Sequence, residues 1–402
     1  MSQNNIHTTQ ISVFKIAAAY IGTIVGAGFA SGQEILQFFG FFGIFGLFGV
    51  LFTTLLFSIF GYVIMKVARD IKAKSHLPVI KKVSGAKIGY LIDLVITAFL
   101  YGALITMAAG MGAIFAQEFG LANTLGSSAL LLVTLITVLF GINGVLSTLS
   151  ILVPMLMLAV LTISISSLYT NWDNFLANLA WSLPAEAPVP SWFLSAIVYT
   201  SYNLVVAVAV LAPLGVLADE RKLKAGSVLS GLGLGLGAGI ITMAILANVP
   251  QVLNVEVPML LIAGQVSPVF RIIYLLALLL GVYTTAVACL YGFGARIANP
   301  EEKGYRIIVI GASILAFFLS GLGFSSLVGI LFPAVGYAGL LLLGSLTYVL
   351  IKDFKVDINA RFYLWRLPGA GYKKLFLGNE RPAEKTPDEK DESLDASGRK
   401  NR

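Results

Sequence analysis

The sequence predicts an all-α integral membrane protein with ten transmembrane helices, arranged as a 5+5 inverted repeat. Three observations support this fold class. Hydrophobic residues make up 57% of the 402 residues and charged residues only 12%, whereas soluble domains carry roughly 25% charged residues. Apolar segments recur at about the 20-residue length that crosses a bilayer. Basic residues collect in alternate loops, as the positive-inside rule requires.

Ten segments approach or reach the length and hydropathy of a membrane span. They cover about 13–39, 43–67, 88–117, 127–143, 145–169, 191–217, 227–249, 268–297, 305–322 and 324–351. We expect no cleavable signal peptide ahead of them, because the polar start and the first span lack a small-residue cleavage site.

The basic residues predict the orientation. With a cytoplasmic amino terminus, the loop from Lys66 to Lys87, the loop from Arg221 to Lys224 and the C-terminal tail fall on one side. Of the 27 Lys and Arg residues, only Arg271 then lies outside. The net charge of +7 therefore indicates a plasma-membrane protein with both termini in the cytoplasm, and no nucleic-acid partner.

The expected domain plan is a single membrane domain with short ends. Residues 1–12 are predicted to be a cytoplasmic start, and 13–351 the membrane domain. Residues 352–377 mix Lys and Arg with aromatic residues, which favours a segment on the inner leaflet. Residues 378–402 are rich in charge, Pro and Ser and are predicted to be disordered.

Two sets of five spans, about 13–169 and 191–351, must run with opposite orientation, because five is odd. Inverted repeats of this kind place the solute site near the midplane, on discontinuous helices at corresponding positions. We therefore expect discontinuous first and sixth helices. In the sixth helix, the polar run from Tyr199 to Asn203 and the later Pro213 are where we expect the interruption.

The most informative stretch lies in the first span, where Gly22 to Glu34 reads GTIVGAGFASGQE. Glycine weakens the helical ladder, and an unpaired carboxylate at bilayer depth is costly. Non-helical backbone at that depth survives only where it is buried or lines a cavity. We predict a break around Val25 to Gly28, with free carbonyls to attract a cation and free amides to attract a carboxylate. The alternative is close helix packing through the glycines.

Substrate contacts are expected from the break and from the third and sixth spans. Helical spacing puts Tyr199, Tyr202 and Asn203 on one face, for which a packed polar interface is the alternative. A tyrosine of the third span, Tyr101, is expected to reach the same cavity. The full predicted set is Gly26, Ala27, Gly28, Ala30, Ser31, Tyr101, Tyr199, Tyr202 and Asn203.

Four further residues suggest gating or ion binding. Gln33 and Glu34 are expected to gate the vestibule, or in the case of Glu34 to carry a proton. Thr284 and Thr285 are adjacent hydroxyls in an apolar span. Back-bonding to the preceding turn is one interpretation of these threonines. Part of a neutral oxygen shell for a monovalent cation, facing the broken first helix, is the other.

The Gly22 to Glu34 run, followed by the later spans, resembles the YkvI-type amino-acid permease family of bacteria, within the amino acid–polyamine–organocation group. That group is similar in fold to the leucine transporter. The likeness covers about 12–351. It implies a secondary transporter that imports a small zwitterionic solute with sodium by alternating access. Spans one, two, six and seven would rock against spans three, four, eight and nine.

The resemblance also implies one sodium site, formed by the carbonyls of Gly22, Val25 and Gly281 and the hydroxyls of Thr284 and Thr285. Sodium is the expected coupling ion, with no cofactor, and the partners are a small-molecule substrate and the lipid bilayer. A proton-coupled permease using Glu34, or a non-transporting solute sensor, are the alternatives. The sequence has no nucleotide loop, catalytic triad or zinc pattern, so no enzyme is expected.

Overall fold

The computed structural model describes the backbone of residues 11–73, 75–140 and 143–365, with the side chains of 143–153 and 353–365 left out. The chain divides into two compact units, Met1–Val349 and Leu350–Arg402. The predicted disordered tail and all but the last two residues of the predicted cytoplasmic start lie outside the described residues.

The described chain is helical throughout its regular structure. Helices α1 to α14 cover, in order, Val13–Ile24, Ala27–Ser31, Gln33–Phe38, Ile44–Asp70, His76–Phe119, Asn123–Phe140, Asn143–Thr170, Trp172–Ala177, Trp192–Gly215, Glu220–Ala247, Pro258–Val266, Pro268–Ile297, Lys303–Ser320 and Phe324–Trp365. Short 3₁₀ turns at Gly40–Phe42 and Gln251–Asn254 precede α4 and α11.

Within the described ranges, 8 helices are long and apolar enough to cross a membrane. They are α4, α5, α6, α9, α10, α12, α13 and the part of α14 up to Lys352. Shorter apolar helices at Val13–Ile24 and Pro154–Thr170 coincide with the predicted first and fifth spans. A multi-pass membrane protein is thus confirmed, while the full ten-span inverted repeat stays a prediction.

Two predicted boundaries differ from the structure. Helix α5 starts at His76, well ahead of the predicted span at 88–117. It consists of two helical pieces that meet at Gly85, where φ 78° and ψ 169° reverse the chain. The short piece before Gly85 folds back, so that a Cβ on Gly89 would lie 3.3 Å from Lys81 Cα. Helix α14 continues to Trp365, past the expected end of the membrane domain at residue 351.

The sixth span is where the fold prediction is wrong. Helix α9, Trp192–Gly215, is continuous. Its polar side chains return their hydrogen bonds to the preceding turn: Thr200 Oγ1 donates to Ala196 O at 2.8 Å and Asn203 Nδ2 to Tyr199 O at 3.0 Å. The helix contains no glycine before its last residue. Its polar groups therefore support the helical ladder instead of interrupting it.

The helices pack as two groups. In one group, α1 and α4 each contact both α9 and α10, and in the other, α5, α6, α12 and α13 contact one another. Helix α7 contacts both α10 and α12. The rocking element and the scaffold are predicted to consist of these spans, and the helix contacts agree with that division, which stays a prediction.

Alternating glycines of α10 bring its neighbours close. A Cβ on Gly235 would lie 1.9 Å from Thr54 Oγ1 of α4, and a Cβ on Gly233 would lie 2.8 Å from Ile21 Cδ1 of α1. The side chains of Thr54 in α4 and of Ile21 in α1 thus lie directly against the backbone of α10. The first group of helices depends on this close approach.

We predict that Gly231→Ala destabilises the protein by about 1–3 kcal/mol, because its Cβ would overpack the α4–α10 contact. The added atom would lie 2.1 Å from Ser58 Oγ and 2.8 Å from Thr54 O. The midpoint of thermal unfolding of the detergent-solubilised protein measures the effect. Gly239→Ala is the matched control, since its Cβ would meet only Val50 Cγ1 at 3.8 Å. Equal loss of stability in both variants would contradict this account of the α4–α10 packing.

Candidate solute and ion site

The first span is interrupted at Val25 and Gly26, as predicted. Helix α1 ends at Ile24, and Gly26 is extended at φ −104° and ψ −172° before α2 begins. Gly26 N donates to Ile24 O at 2.9 Å. In a continuous helix that N–H would bond to the Gly22 carbonyl. The break therefore leaves the Gly22 carbonyl without its usual helical partner.

A second interruption follows at Gly32, where we expected one outer half-helix. Gly32 has φ 80° and ψ −11°, so α2 contains only 5 residues. Ser31 Oγ donates to Gly28 O at 2.8 Å and accepts from Gln33 N at 3.3 Å. Because so short a helix has little macrodipole, the expected attraction of its amides for a carboxylate is weaker than a full half-helix would supply.

A cavity of about 220 Å³ lies at the first interruption. All five residues predicted for sodium line it, together with two of the predicted substrate residues. The wall consists of Gly22, Thr23, Val25, Gly26, Ala27, Leu100, Leu156, Val206, Gly281, Thr284, Thr285, Ala288 and Cys289. The structure thus brings α1, α2, α5, α7, α9 and α12 together around one space.

The two threonines of α12 have their hydroxyl protons committed to the helix backbone. Thr284 Oγ1 donates to Leu280 O at 2.9 Å, and Thr285 Oγ1 donates to Gly281 O at 2.8 Å. A hydroxyl that has donated still offers oxygen lone pairs. Back-bonding is therefore compatible with ion binding by both threonines. The Gly281 carbonyl also accepts from Thr284 Oγ1 at 3.2 Å. It therefore already accepts hydrogen bonds from both threonine side chains.

The predicted polar face of α9 is present. Tyr199 and Tyr202 are both buried, with ring centroids 5.4 Å apart. Ser201 turns away and its Oγ donates to Gly336 O of α14 at 2.8 Å. The cavity itself is reached on this helix by Val206, so Tyr199, Tyr202 and Asn203 are not part of its wall.

Tyr101 does not face the broken helix. Its hydroxyl donates to Ala312 O of α13 at 3.3 Å, and its ring lies 4.8 Å from that of Phe293. The neighbouring Leu100 takes the position on the cavity wall. The expectation for Tyr101 is therefore wrong, because the rotation of α5 directs it towards α12 and α13.

Helix α2 is held on its other side by residues that sequence reasoning missed. The Tyr274 hydroxyl of α12 donates to the Ala30 carbonyl, and Tyr274 is fully buried. Met259 of α11 covers Gly32, where a Cβ would lie 2.7 Å from Met259 Cγ. Ala27 and Ser31 also border a small void of about 10 Å³. These contacts secure α2 to the second group of helices.

Gln33 and Glu34 belong to α3, and both side chains are buried. Gln33 Nε2 donates to Ser325 Oγ of α14 at 2.6 Å, and Gln37 Nε2 donates to Ser325 O at 2.8 Å. Glu34 folds back towards α2, so that a Cβ on Gly28 would lie 2.6 Å from Glu34 Oε2. Gly28 thus provides the space in which the Glu34 carboxylate lies.

Two proteins of Bacillus subtilis (strain 168), both named as uncharacterized, are similar to the chain. The membrane protein YkvI is 29% identical over 338 residues, which are 83% of this chain and 95% of YkvI. YyaD is 30% identical over 343 residues, which are 83% of this chain and 96% of YyaD. No family model matches the chain.

Solved structures share the fold at low identity. Mhp1 in an inward-facing conformation has a TM-score of 0.60 at 15% identity, over 83% of this chain and 74% of that chain. MhsT in complex with L-phenylalanine gives 0.57 at 17%, over 81% and 87%. A Na⁺-coupled sialic acid symporter, in a substrate-bound outward-open state, gives 0.55 at 12%, over 77% and 74%. The expected leucine-transporter-like fold is thereby confirmed.

We predict that Gly32→Ala destabilises the protein by about 2–5 kcal/mol, because it adds left-handed backbone strain to a clash with Met259. Thermal unfolding in sodium-free buffer measures the loss. Gly26→Ala is the control, since Gly26 has an ordinary negative φ and nothing within 4 Å of its Cβ position. An unchanged unfolding midpoint for Gly32→Ala would contradict the second interruption.

Proposed function

The chain belongs to the family of the Bacillus subtilis membrane proteins YkvI and YyaD, and we propose that it is a secondary transporter of the cell membrane. It imports a small zwitterionic solute, an amino acid, together with sodium. The observation that carries the proposal is the cavity at the broken first span, whose wall includes Gly22, Val25, Gly281, Thr284 and Thr285. The chain's likeness in fold to MhsT, solved with L-phenylalanine, and to a Na⁺-coupled symporter supports the same proposal.

Sodium suits the oxygens that border this cavity. Hard cations take oxygen ligands, and transporters bind their coupling ions at unwound carbonyls and helix ends. The Gly22 carbonyl has lost its helical partner to the break, and the hydroxyls of Thr284 and Thr285 retain their lone pairs. Among the residues that the structure describes, no group of His, Cys, Asp and Glu forms a metal cluster, so a neutral site for a monovalent ion fits best.

The packing of the two helix groups suggests how binding drives transport. Helix α1 contacts α9 and α10 of the first group, whereas Thr284 and Thr285 belong to α12 of the second. An ion held between them stabilises the arrangement in which both sets of ligands meet. A ligand shifts a conformational equilibrium only by its differential affinity for the two states. We propose alternating access between the groups, within ten spans that form two inverted repeats and leave both termini in the cytoplasm.

The second candidate coupling ion is the proton, with Glu34 as its carrier. This candidate is favoured by the burial of Glu34, which is 4% exposed. Asp93 is a poorer carrier, since Arg296 Nη1 donates to its Oδ1 at 2.8 Å. In a proton-coupled permease, the ammonium group of a lysine on the fifth span could take the place of the sodium ion. The fifth span of this chain contains no lysine, which counts against that form of proton coupling. A non-transporting sensor is the third candidate. It would bind the solute without accumulating it across the membrane, unlike either transporter.

We predict that L-amino acids stabilise the purified protein in a sodium-dependent manner. A thermal-shift screen of the individual amino acids, in sodium chloride and in choline chloride, measures this. At a ligand concentration of about 100 times the Kd, the linkage contributes about 2.7 kcal/mol. Thr284→Val with Thr285→Val is expected to remove the sodium dependence. Thr106→Val is the control, because Thr106 is buried and back-bonded to Gly102 O at 3.0 Å but lies outside the cavity wall.

Three results would count against the proposal. Sodium dependence that persists in the double valine variant would place the ion elsewhere. Stabilisation that follows pH and ignores sodium would favour the proton. Binding without accumulation of labelled amino acid in proteoliposomes, under an inward sodium gradient, would identify a sensor.

A further inference from the structure

Buried polar atoms without partners concentrate on one side of the broken span. Of the 8 such side-chain atoms found among the described residues, five belong to α3 and α9. They are Gln33 Oε1, Glu34 Oε1, Gln37 Oε1, Tyr199 Oη and Tyr202 Oη. Buried polar groups are normally paired, and leaving one unpaired is costly. The amide and carboxylate oxygens of this set only accept hydrogen bonds, so their concentration at one place points to a ligand that supplies donors.

Glu34 is the charged member of this set. No ion pair of Glu34 occurs among the described residues, and residues 16–65, 192–220 and 324–351 contain no Lys, Arg or His. These ranges include α2, α3, α9 and the membrane part of α14, which hold the residues beside Glu34. Helix α10 also approaches this segment, at Ile245, whereas its basic residues lie in its first two turns. An ionised carboxylate in the membrane interior needs a cation beside it, and α2, α3, α9 and the membrane part of α14 provide none.

The surroundings of Glu34 suit an organic ammonium group. Its carboxylate is within hydrogen-bonding reach of the Tyr199 hydroxyl and lies against Gly28, and Phe332 Cε2 approaches the same side of Gly28. The rings of Tyr202 and Phe332 are 5.3 Å apart. A carboxylate forms strong charge-assisted hydrogen bonds with an ammonium, and aromatic faces attract a cation. Carboxylate, phenol oxygens and aromatic rings therefore combine in one place.

We propose that Glu34 binds the ammonium group of the transported solute, with the Tyr199 and Tyr202 hydroxyls as additional acceptors. This assignment rests on the proposed function and narrows its substrate to solutes with a free amino group. In this arrangement Gln33 and Gln37 are positioning residues, which hold α3 against Ser325 of α14.

Charge balance extends the assignment to a zwitterion. An ionised Glu34 and one sodium ion cancel, so the loaded site remains neutral when the solute has an ammonium and a carboxylate. A net cationic amine would leave one uncompensated charge in the membrane interior, where burial of an unpaired charge is strongly unfavourable. The preferred substrates are therefore neutral amino acids.

The test uses the full-length protein and a ¹⁴C-labelled mixture of the twenty L-amino acids, with the N-acetylated mixture as competitor. We expect Glu34→Gln to weaken binding by about 30-fold or more, as for loss of one partner of a buried charge pair. Glu34→Asp keeps the charge and should retain part of the affinity. Acetylated amino acids should fail to compete, because they lack the ammonium.

Glu118→Gln is the matched control. The side chain of Glu118 is also little exposed, at 6%, but it pairs with Arg271 at 2.7 Å and lies outside the proposed site. Its amino-acid affinity should equal that of the wild type. The sodium-induced thermal shift, measured without amino acid, shows that each Glu34 variant retains its fold and its ion site. Should Glu34→Gln fail this check, Glu34→Asp and the acetylated competitor decide the question.

The outcomes separate this assignment from the proposed function. Wild-type affinity in Glu34→Gln, or effective competition by the acetylated mixture, overturns the ammonium assignment and leaves sodium-coupled transport standing. Normal binding and counterflow in Glu34→Gln with loss of uphill accumulation overturns it in favour of a proton carrier. If the wild type binds none of the labelled mixture, with or without sodium, the proposed function itself fails.

Discussion

The structure depends on one constraint, that a peptide group freed from a helix in the membrane interior must find another partner or a cavity. The chain interrupts its first span twice, and the freed groups are treated in different ways. At Gly32, the Tyr274 hydroxyl donates to Ala30 O, and Ser31 Oγ donates to Gly28 O. At Val25 and Gly26, Gly22 borders the cavity with Val25, and its carbonyl has lost its helical partner. The second interruption is therefore secured by protein, and the first is left open to a ligand.

This unequal treatment connects the break to the two helix groups. Helix α1 contacts α9 and α10, whereas α2 contacts α11 and α12. The extended residues between α1 and α2 thus join segments that pack on opposite groups. A relative movement of the groups needs changes in backbone dihedrals at few positions, and extended residues beside glycine absorb them with little steric cost. A ligand that bridges the break would act directly on the equilibrium between the two arrangements.

Several parts of this site could be predicted from the sequence because they depend on local chemistry. The glycines at 22, 26 and 28 predicted the position of the break, and helical spacing predicted which side Tyr199 and Tyr202 share. The direction of Tyr101 could not be predicted, since it depends on how α5 rotates against α12 and α13. The same limit applies to Tyr274, one of three tyrosines in α12, because nothing in the neighbouring sequence indicates that it contacts α2.

The errors about continuity have a common physical reason. Polar residues and a late proline in α9 suggested an interruption, but Thr200 and Asn203 bond to carbonyls one turn earlier and leave the ladder intact. In the first span the glycines predict one break around Val25 to Gly28 and a single half-helix after it, yet Gly32 makes a second, left-handed turn. A polar side chain in a membrane helix can support the backbone. Glycine has no side chain with which to do so, which makes it the more reliable sign of a break.

The second turn at Gly32 explains why Glu34 lies where it does. In a continuous helix, residues 28 and 34 would be separated by nearly two turns and would point in different directions. The left-handed residue between α2 and α3 instead returns the Glu34 side chain to Gly28, where the absence of a Cβ makes room for its carboxylate. An apolar residue at position 34 would fill this space without the cost of a buried carboxylate. Retaining an acid there, with no basic residue on α2, α3, α9 or the membrane part of α14, is costly for stability and is explained by a cation that binds during the transport cycle.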